Sequence, residues 1–261
     1  MSRSSFSRIP ARCRVLAAVA GLALPAVTWT AADSRPFATG LVPFRDQIEE
    51  GYNARDIRAI EATVAALKKA ARASGQEDTG AYYAAFARLR QSAIPGIPKS
   101  RARDYLEQCI HELAPLIERR GDYAQARALH ASCLGASASH YVLRAATRGM
   151  AADREMSAAL KLAPDDPWIV FQDAVSDFLT PAMFGGSKER ALARLRRADQ
   201  LFVASRPAGS TRPVFGEGET WLYIGRVQLA LGRRGEARKA LERARELAPG
   251  SADIRDEIAK L

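Results

Sequence analysis

The sequence predicts an all-α protein built from antiparallel helix pairs, and three observations support this prediction. The chain has 261 residues, 48% of them hydrophobic, which is enough to bury a sizeable core. Ala, Leu and Arg are the most frequent residues of its body, aromatic residues make up only 7%, and β-branched runs are scarce, so helix is favoured over strand. Small residues also recur at a spacing that is typical of two-helix repeats of about 34 residues.

The first element is an amino-terminal segment that we predict to be removed. Four arginines precede an apolar stretch from Val15 to Val27, and small residues follow around Ala32. This is the layout of a secretory signal peptide over residues 1–32, with cleavage after Ala32, and it predicts a periplasmic or secreted protein. The apolar stretch is short for a membrane span of about 20 residues, although retention as an anchor stays open. Residues 33–261 are then expected to form a single helical-repeat domain without a membrane span.

The charge of the chain argues against a nucleic-acid partner. The formal net charge is +10, but removal of residues 1–32, which hold four of the 39 basic residues, leaves 35 basic and 29 acidic residues, or +6. No Lys/Arg run is interleaved with aromatic residues, so no nucleic acid is expected as a partner. Five arginines could bind an anionic partner, but such residues usually form a solvated helix face. They are Arg194, Arg196, Arg197, Arg233 and Arg234.

The clearest repeat is residues 218–251. Small residues at Gly225, Ala237 and Ala244 would let two antiparallel helices approach closely, and Pro249 would end the second helix. The other positions that match are Trp221, Leu231, Gly232 and Leu241. With this spacing the segment strongly resembles a tetratricopeptide repeat. The resemblance implies a tetratricopeptide-like stack of antiparallel helix pairs, an α-solenoid, for the whole domain.

Upstream units match the pattern less well, and we interpret them as degenerate middle repeats. Ala59 and Ala66 indicate an amino-terminal hairpin through their seven-residue spacing. Two further degenerate copies follow, each recognised by residues at turn and second-helix positions. The first has Gly121, Tyr123, Ala126 and Cys133 at these positions, and the second has Ala152, Met156, Ala159 and Pro164.

Two cysteines remain after loss of the amino-terminal segment, Cys109 and Cys133. In this alignment Cys109 lies early in a first helix and Cys133 late in the antiparallel helix after Gly121, so the two ends are neighbours in space. We therefore consider an intra-repeat disulfide, which an oxidising compartment permits. Two separate buried thiols in a helical core stay an equal alternative.

One unit contains an insertion. Its second helix, marked by Ala191, arrives about seven residues late. The additional residues, 180–186, include one proline and two glycines, which cannot continue a helix. We expect a long interhelical turn with Met183 and Phe184 in the core, and a ligand-binding loop is the alternative. A second long connection, from Ser205 to Glu217, is predicted to be a surface loop.

The whole arrangement resembles a group of exported bacterial tetratricopeptide proteins. The likeness covers most of residues 40–250 and rests on the helix with Tyr82 and Tyr83, the poorly matching middle, the segment from Asp165 to Leu195 and the well-formed last repeat. It implies the fold and an exported location, but no particular task. A more distant likeness is to the tetratricopeptide partners of periplasmic transport systems, and no diagnostic binding residue of that group is matched.

No set of residues predicts catalysis or a metal site. The three histidines, His111, His130 and His140, show no His-x-x-x-His spacing, and no Cys-x-x-Cys pair occurs. The short glycine clusters follow no predicted strand and lack the Lys-Ser/Thr of a phosphate loop, so we interpret them as turns. We therefore expect a non-enzymatic protein that has no cofactor and no metal.

The expected function is that of a periplasmic scaffold or adaptor. The concave face of stacked helix pairs is lined mainly by first helices and commonly holds a peptide or a partner's helix, so we expect a protein or peptide partner there. The alternative is a small-molecule carrier or transporter accessory with an apolar pocket near Met183, Phe184, Trp168 and Trp221. The residues expected to contact a partner are Tyr82, Tyr83, Tyr141, Arg144, Gln172, Tyr223 and Arg226.

Overall fold

The computed structural model describes residues 40–206 and 215–261, and no strand occurs within these ranges. They contain eleven α-helices and two 3-10 helices, so the prediction of an all-α helical-repeat solenoid is confirmed. The predicted signal segment, residues 1–32, lies outside the described residues. The α-helices are α1 (Val42–Asn53), α2 (Ile57–Ala73), α3 (Glu77–Ser92), α4 (Lys99–Arg119), α5 (Ala124–Ala138), α6 (Ala145–Leu162), α7 (Pro167–Leu179), α8 (Lys188–Ala204), α9 (Glu217–Ala230), α10 (Arg234–Leu247) and α11 (Ala252–Ile258), and the 3-10 helices are Val142–Arg144 and Ala182–Phe184.

The helices pair into five antiparallel hairpins, α1–α2, α3–α4, α5–α6, α7–α8 and α9–α10, and α11 packs against α10. Because successive helices run in opposite directions, the turns alternate between two edges of the stack. The intra-hairpin edge carries the turns inside hairpins, at 54–56, 93–98, 139–144, 180–187 and 231–233. The inter-hairpin edge carries the turns between hairpins, at 74–76, 120–123, 163–166, 205–216 and 248–251, of which 207–214 are outside the described residues. Within the described ranges no helix is both long and apolar enough to cross a membrane.

The last hairpin has the close helix packing that its small residues predict. A Cβ atom at Gly225 of α9 would lie 2.7 Å from Leu241 Cγ of α10, so glycine is required at this crossing. A Cβ atom at Gly218 would lie 2.6 Å from the Cβ of Ala248. Gly232 follows α9 with φ of 75°, a backbone conformation that glycine adopts without strain.

The middle helices pair differently from the prediction. The sequence pattern groups α4 and α5 into one repeat, but α4 is the second helix of the α3–α4 hairpin and α5 is the first helix of the next. The reason is the 93–98 turn, which buries Ile94 and folds α4 back along α3. Cys109 and Cys133 form a disulfide with Cα atoms 6.3 Å apart. The bond therefore links neighbouring hairpins, and the expectation of an intra-repeat bond was wrong in this respect.

Aromatic side chains of the first helices meet in the core. The ring centroid of Trp168 in α7 lies 5.0 Å from that of Phe171 and 6.4 Å from that of Phe86 in α3. Phe215, just before α9, lies 5.1 Å from Trp168, and Tyr223 of α9 lies 5.6 Å from Phe171. Such ring pairs each add roughly 0.5–1.5 kcal/mol to the stability that burial provides. Much of the inner face of α3, α7 and α9 is thus filled by the protein's own side chains.

The insertion of the fourth hairpin is the second point at which the structure departs from the prediction. Met183 is 82% exposed and Phe184 70% exposed, so their expected place in the core was wrong. The backbone gives the reason. The turn closes onto the end of α7, because the Ser187 N–H donates to the Asp177 carbonyl at 3.1 Å and a Cβ at Gly186 would lie only 1.8 Å from a carbonyl oxygen. The two large side chains are left on the outside.

The two ends of the described chain contact each other. Tyr52 Oη of α1 donates to Asp253 Oδ2 of α11 at 2.8 Å, and the Ala252 N–H donates to Asn53 Oδ1 at 2.9 Å. The first hairpin therefore packs against the last helix as well as against its neighbour in sequence.

Candidate functional site

A pocket of about 360 Å³ lies where α1, α3, α9 and α11 meet. Three of these, α1, α3 and α9, are first helices of their hairpins, so the pocket is lined mainly by first helices. Its lining combines six acidic or basic side chains with small and apolar ones. The acidic and basic side chains are Arg45, Asp46, Glu49, Arg90, Glu219 and Asp253, and the apolar ones include Phe215, Leu222, Ala248 and Ile254.

Arg90 is the charged centre of this pocket. Its Nε donates to Glu49 Oε1 at 2.6 Å, and its two terminal nitrogens donate to the Glu219 carboxylate at 2.8 and 2.6 Å. The guanidinium also lies 4.9 Å from the Phe86 ring and 5.2 Å from the Tyr52 ring. Burial alone would lower the pKa of Arg90, but the Glu219 and Glu49 carboxylates hold that pKa well above its ordinary value. A buried cation is thereby kept charged and fixed in position.

The carboxylates of the pocket outnumber its cations. Burial raises the pKa of Glu49, although the neighbouring Arg90 lowers it. At the rim, Arg45 donates to Asp46 at 2.6 Å and lies 4.5 Å from the Phe215 ring. Four carboxylates and two guanidinium groups line the pocket, so its walls carry an excess of two negative charges when all six are ionised. Such a lining favours a cationic group over an anionic one.

Three residues that the sequence predicts for partner contact lie in the core instead. Tyr82 stacks on Tyr123 with ring centroids 5.9 Å apart, and burial raises the pKa of Tyr83 to about 12. The Gln172 amide and Ser132 Oγ are 2.8 Å apart, within hydrogen-bond distance. Tyr82, Tyr83 and Gln172 are all buried, so a partner has no access to them in this structure.

The other four predicted residues are accessible in part, but they do not form one surface. Arg226 Nε donates to Glu257 at 2.9 Å, and its Nη2 lies 3.8 Å from Asp253 of the pocket wall. Tyr223 is half-buried between aromatic rings. Tyr141 lies under Arg148, 4.3 Å from ring centroid to guanidinium, and Arg144 is exposed on the intra-hairpin edge. Their contact with a partner stays a prediction.

Sequence reasoning missed the residues that form the pocket. Arg90 and Glu219 are separated by 129 positions, and Tyr52 and Asp253 by 201. No local spacing marks them, because only the contact of the first two hairpins with α9 and α11 brings them together. The apolar pocket expected around Met183, Phe184, Trp168 and Trp221 does not form at this site, since none of these four lines it.

Similar folds occur among solved structures, and one family model matches part of the sequence. A family model described as a tetratricopeptide repeat matches residues 218–261, which contain the clearest predicted repeat. A thermophilic TPR protein of Thermus thermophilus has a similar structure, with a TM-score of 0.58 and 16% identity over 83% of this chain and 97% of that one.

The chain has a tetratricopeptide-type fold. A second similar structure, the HusA haemophore of Porphyromonas gingivalis, gives a TM-score of 0.54 and 22% identity over 74% of this chain and 94% of that one. At these identities the likeness concerns the fold alone. No curated protein sequence matches the chain.

The tetratricopeptide fold typically serves as a non-enzymatic scaffold for protein interaction. In the described residues no group of three or more His, Cys, Asp or Glu side chains is placed to hold a metal ion. The pocket carboxylates are engaged with arginines and with Tyr52, an arrangement suited to binding a charged group.

Proposed function

We propose that this tetratricopeptide-type protein is an exported scaffold that binds another protein or peptide on the concave face of its first helices, at the pocket between α1, α3, α9 and α11. The single observation that supports this most is the charged and structurally fixed lining of that pocket. Elsewhere the aromatic residues of α3, α7 and α9 occupy the inner face. The pocket is therefore a part of this face that offers room to a ligand.

The charge of the pocket favours a basic group of the partner. Arg90 is satisfied by Glu49 and Glu219, and Arg45 by Asp46, so the lining keeps an excess of negative charge. A Lys or Arg side chain, or an amino terminus, would complement this charge, and complementary charge confers specificity and a fast association rate.

The exported location is part of the same proposal. Its support is the sequence of residues 1–32, with arginines before a short apolar stretch and small residues at its end. The Cys109–Cys133 disulfide agrees with it, because such bonds persist in oxidising compartments.

A small-molecule carrier is the alternative function. HusA, which has a similar fold, is a haemophore. The pocket of the present chain is lined by charged side chains, and Met183 and Phe184 are outside the core, so the described residues favour a peptide over an apolar small molecule.

Site-specific photo-crosslinking in the producing cell tests the proposal. A photoreactive amino acid at Asp46, which is half exposed at the pocket rim, should yield a crosslinked protein in the exported fraction. The same amino acid at Glu242, on the exposed face of α10, is the matched control. Addition of a Lys/Arg-rich peptide should suppress the product more than an Asp/Glu-rich peptide of equal length. If Asp46 gives no protein product beyond that of Glu242, the scaffold proposal fails at this pocket.

A further inference from the structure

We propose that the intra-hairpin edge of the third, fourth and fifth hairpins is a docking surface for a membrane that contains anionic lipid. The inference goes beyond the scaffold function, because it uses a different surface, which is apolar and basic. Its apolar part is a cluster of four exposed side chains, which we call the turn cluster: Leu143, Leu179, Met183 and Phe184. Leu143, in the 3-10 helix of the third hairpin, is 98% exposed. Exposed apolar groups concentrated in this way mark interaction sites.

The 180–187 turn, which carries Met183 and Phe184 of the turn cluster, has a well-held backbone. The Arg190 guanidinium donates to the Asp177 carboxylate and to the Gly185 carbonyl, which ties the 180–187 turn to the end of α7. Gly185 has φ of 93°, with open space around it, and it ends the 3-10 helix. Met183 and Phe184 are therefore presented to solvent by a fixed turn. The protein forgoes the roughly 1.5–3 kcal/mol that burial of each such side chain would provide.

Exposed cations surround the turn cluster. Arg144, Lys188, Arg233 and Arg234 are exposed on or next to the intra-hairpin turns. Lys188 Nζ donates to the Ala230 carbonyl at 2.9 Å, which places the turn of the fourth hairpin beside that of the fifth. Among the described residues none of the four cations takes part in an ion pair, whereas Arg190 and Arg194 of the fourth hairpin do.

Acidic groups do not neutralise this edge. Glu189, in the first turn of α8, is exposed there and lies 3.3 Å from Ser187 Oγ. Glu236, in the first turn of α10, pairs with Lys239. The four unpaired cations therefore outnumber the nearby carboxylates. The result is a positive surface from which Met, Phe and Leu side chains protrude.

The shape and charge together select a membrane as the occupant. A second copy of the chain would place cations against cations in a symmetric contact, which is unfavourable. A partner protein would need an acidic groove that receives two separate protruding turns. An anionic membrane surface accepts protruding apolar side chains at its interface and attracts each nearby Lys or Arg with about 1 kcal/mol, roughly a fivefold gain in affinity.

The test places a fluorescent reporter on the turn in the full chain. Met183→Cys, made with Cys13→Ser, is labelled with an environment-sensitive dye; Cys109 and Cys133 are bonded to each other and do not react. Phosphatidylcholine vesicles that contain phosphatidylglycerol should shift the emission to shorter wavelength and raise its intensity several-fold. Phosphatidylcholine alone should not, and ~1 M NaCl should reverse the shift, because it reduces the Debye length to about 3 Å. The matched control is the dye at Leu162→Cys, a half-exposed apolar position at the inter-hairpin edge.

The reporter is local, so binding through residues 1–32 cannot imitate the expected result. Arg233→Gln with Arg234→Gln should lower the affinity roughly 25-fold, at about fivefold per cation. Lys69→Gln with Arg72→Gln, the same charge change on α2, should leave it unchanged. The proposal is overturned if the dye at 183 does not respond to anionic vesicles, or if the dye at 162 responds equally. If a photoreactive amino acid at Phe184 crosslinks a protein and the dye shows no response to lipid, the edge binds an acidic partner protein instead.

Discussion

The two turn edges of one helical stack differ in how they present charge and apolar surface. On the inter-hairpin edge, Arg119 Nη2 lies 3.0 Å from Asp78 Oδ1, and Arg197 Nη2 lies 2.6 Å from Asp165 Oδ1, so these two arginines are paired. On the intra-hairpin edge Phe184 is exposed to solvent, and four exposed cations of the last three hairpins have no ion-pair partner among the described residues: Arg144, Lys188, Arg233 and Arg234. The difference follows from what each turn has to do. An inter-hairpin turn sets the packing of one hairpin on the next, whereas an intra-hairpin turn only reverses the chain and tolerates additional residues.

The largest expected difference in stability between the two edges concerns two glycines of similar backbone conformation. Gly216 on the inter-hairpin edge has φ of 92°, and Gly185 on the intra-hairpin edge has φ of 93°. A Cβ at Gly216 would lie 2.7 Å from Phe202 and 2.8 Å from Trp168, but a Cβ at Gly185 meets nothing within 4 Å. Gly185→Ala should lower the free energy of unfolding by about 1 kcal/mol, the strain of a left-handed alanine, and Gly216→Ala by about 3 kcal/mol, since overpacking is added.

Urea unfolding of both variants beside the wild-type protein measures this difference. Equal losses at the two glycines would mean that the inter-hairpin turn is no more constrained than the intra-hairpin one. Circular dichroism of the folded variants is the control for retained helix content.

The same contrast explains which parts of the fold could be predicted. The last hairpin is encoded by local spacing, because Gly225 and Ala237 meet across a single turn, and the repeat was recognised there. The pairing of α4 was not predictable from spacing alone, since Ala126 and Cys133 of α5 also fit a second helix. Hydrophobicity placed Met183 in the core, but a short, hydrogen-bonded turn holds it outside.

The candidate site was hidden from sequence reasoning for a different physical reason. Arg90, Glu49 and Glu219 look like ordinary surface charges of helices, and they become a partly buried cluster only when α1, α3 and α9 meet. The tyrosines expected on the surface, Tyr82 and Tyr83, instead fill the inner face. Aromatic residues on a first helix fit either environment, so their position depends on how far the stack closes on itself.

The second prediction concerns the covalent link between neighbouring hairpins. Reduction of the Cys109–Cys133 bond should lower the free energy of unfolding by about 3 kcal/mol, because the unfolded chain loses a closed loop of this size. The measurement is urea unfolding with and without reductant, together with thiol counting by mass spectrometry after denaturation without reductant. The variant with Cys109→Ala and Cys133→Ala is the control, since reductant should not change its stability. Two free thiols at these positions in the oxidised protein would contradict the bond.

The smallest expected difference in stability between the two edges concerns two helix caps. Asp166, at the inter-hairpin edge, accepts from the Trp168 and Ile169 N–H groups at 2.9 and 3.1 Å and also from Gln125 Nε2 at 2.8 Å. Ser187, at the intra-hairpin edge, accepts from the Arg190 N–H at 3.2 Å. Asp166→Ala should therefore lower the free energy of unfolding by about 1–2 kcal/mol and Ser187→Ala by about 0.5 kcal/mol, as the number of lost bonds predicts.

Asp166→Asn distinguishes the contribution of the capping hydrogen bonds from that of the negative charge, because asparagine caps a helix as well as aspartate does. It should retain most of the stability that Asp166→Ala loses, when the variants are compared by urea unfolding at one pH. A loss at Ser187 as large as that at Asp166 would contradict the idea that the inter-hairpin edge is the more constrained of the two. The ranking matters for function, because a turn that contributes little to folding is free to carry side chains such as Phe184 for contact with something outside the protein.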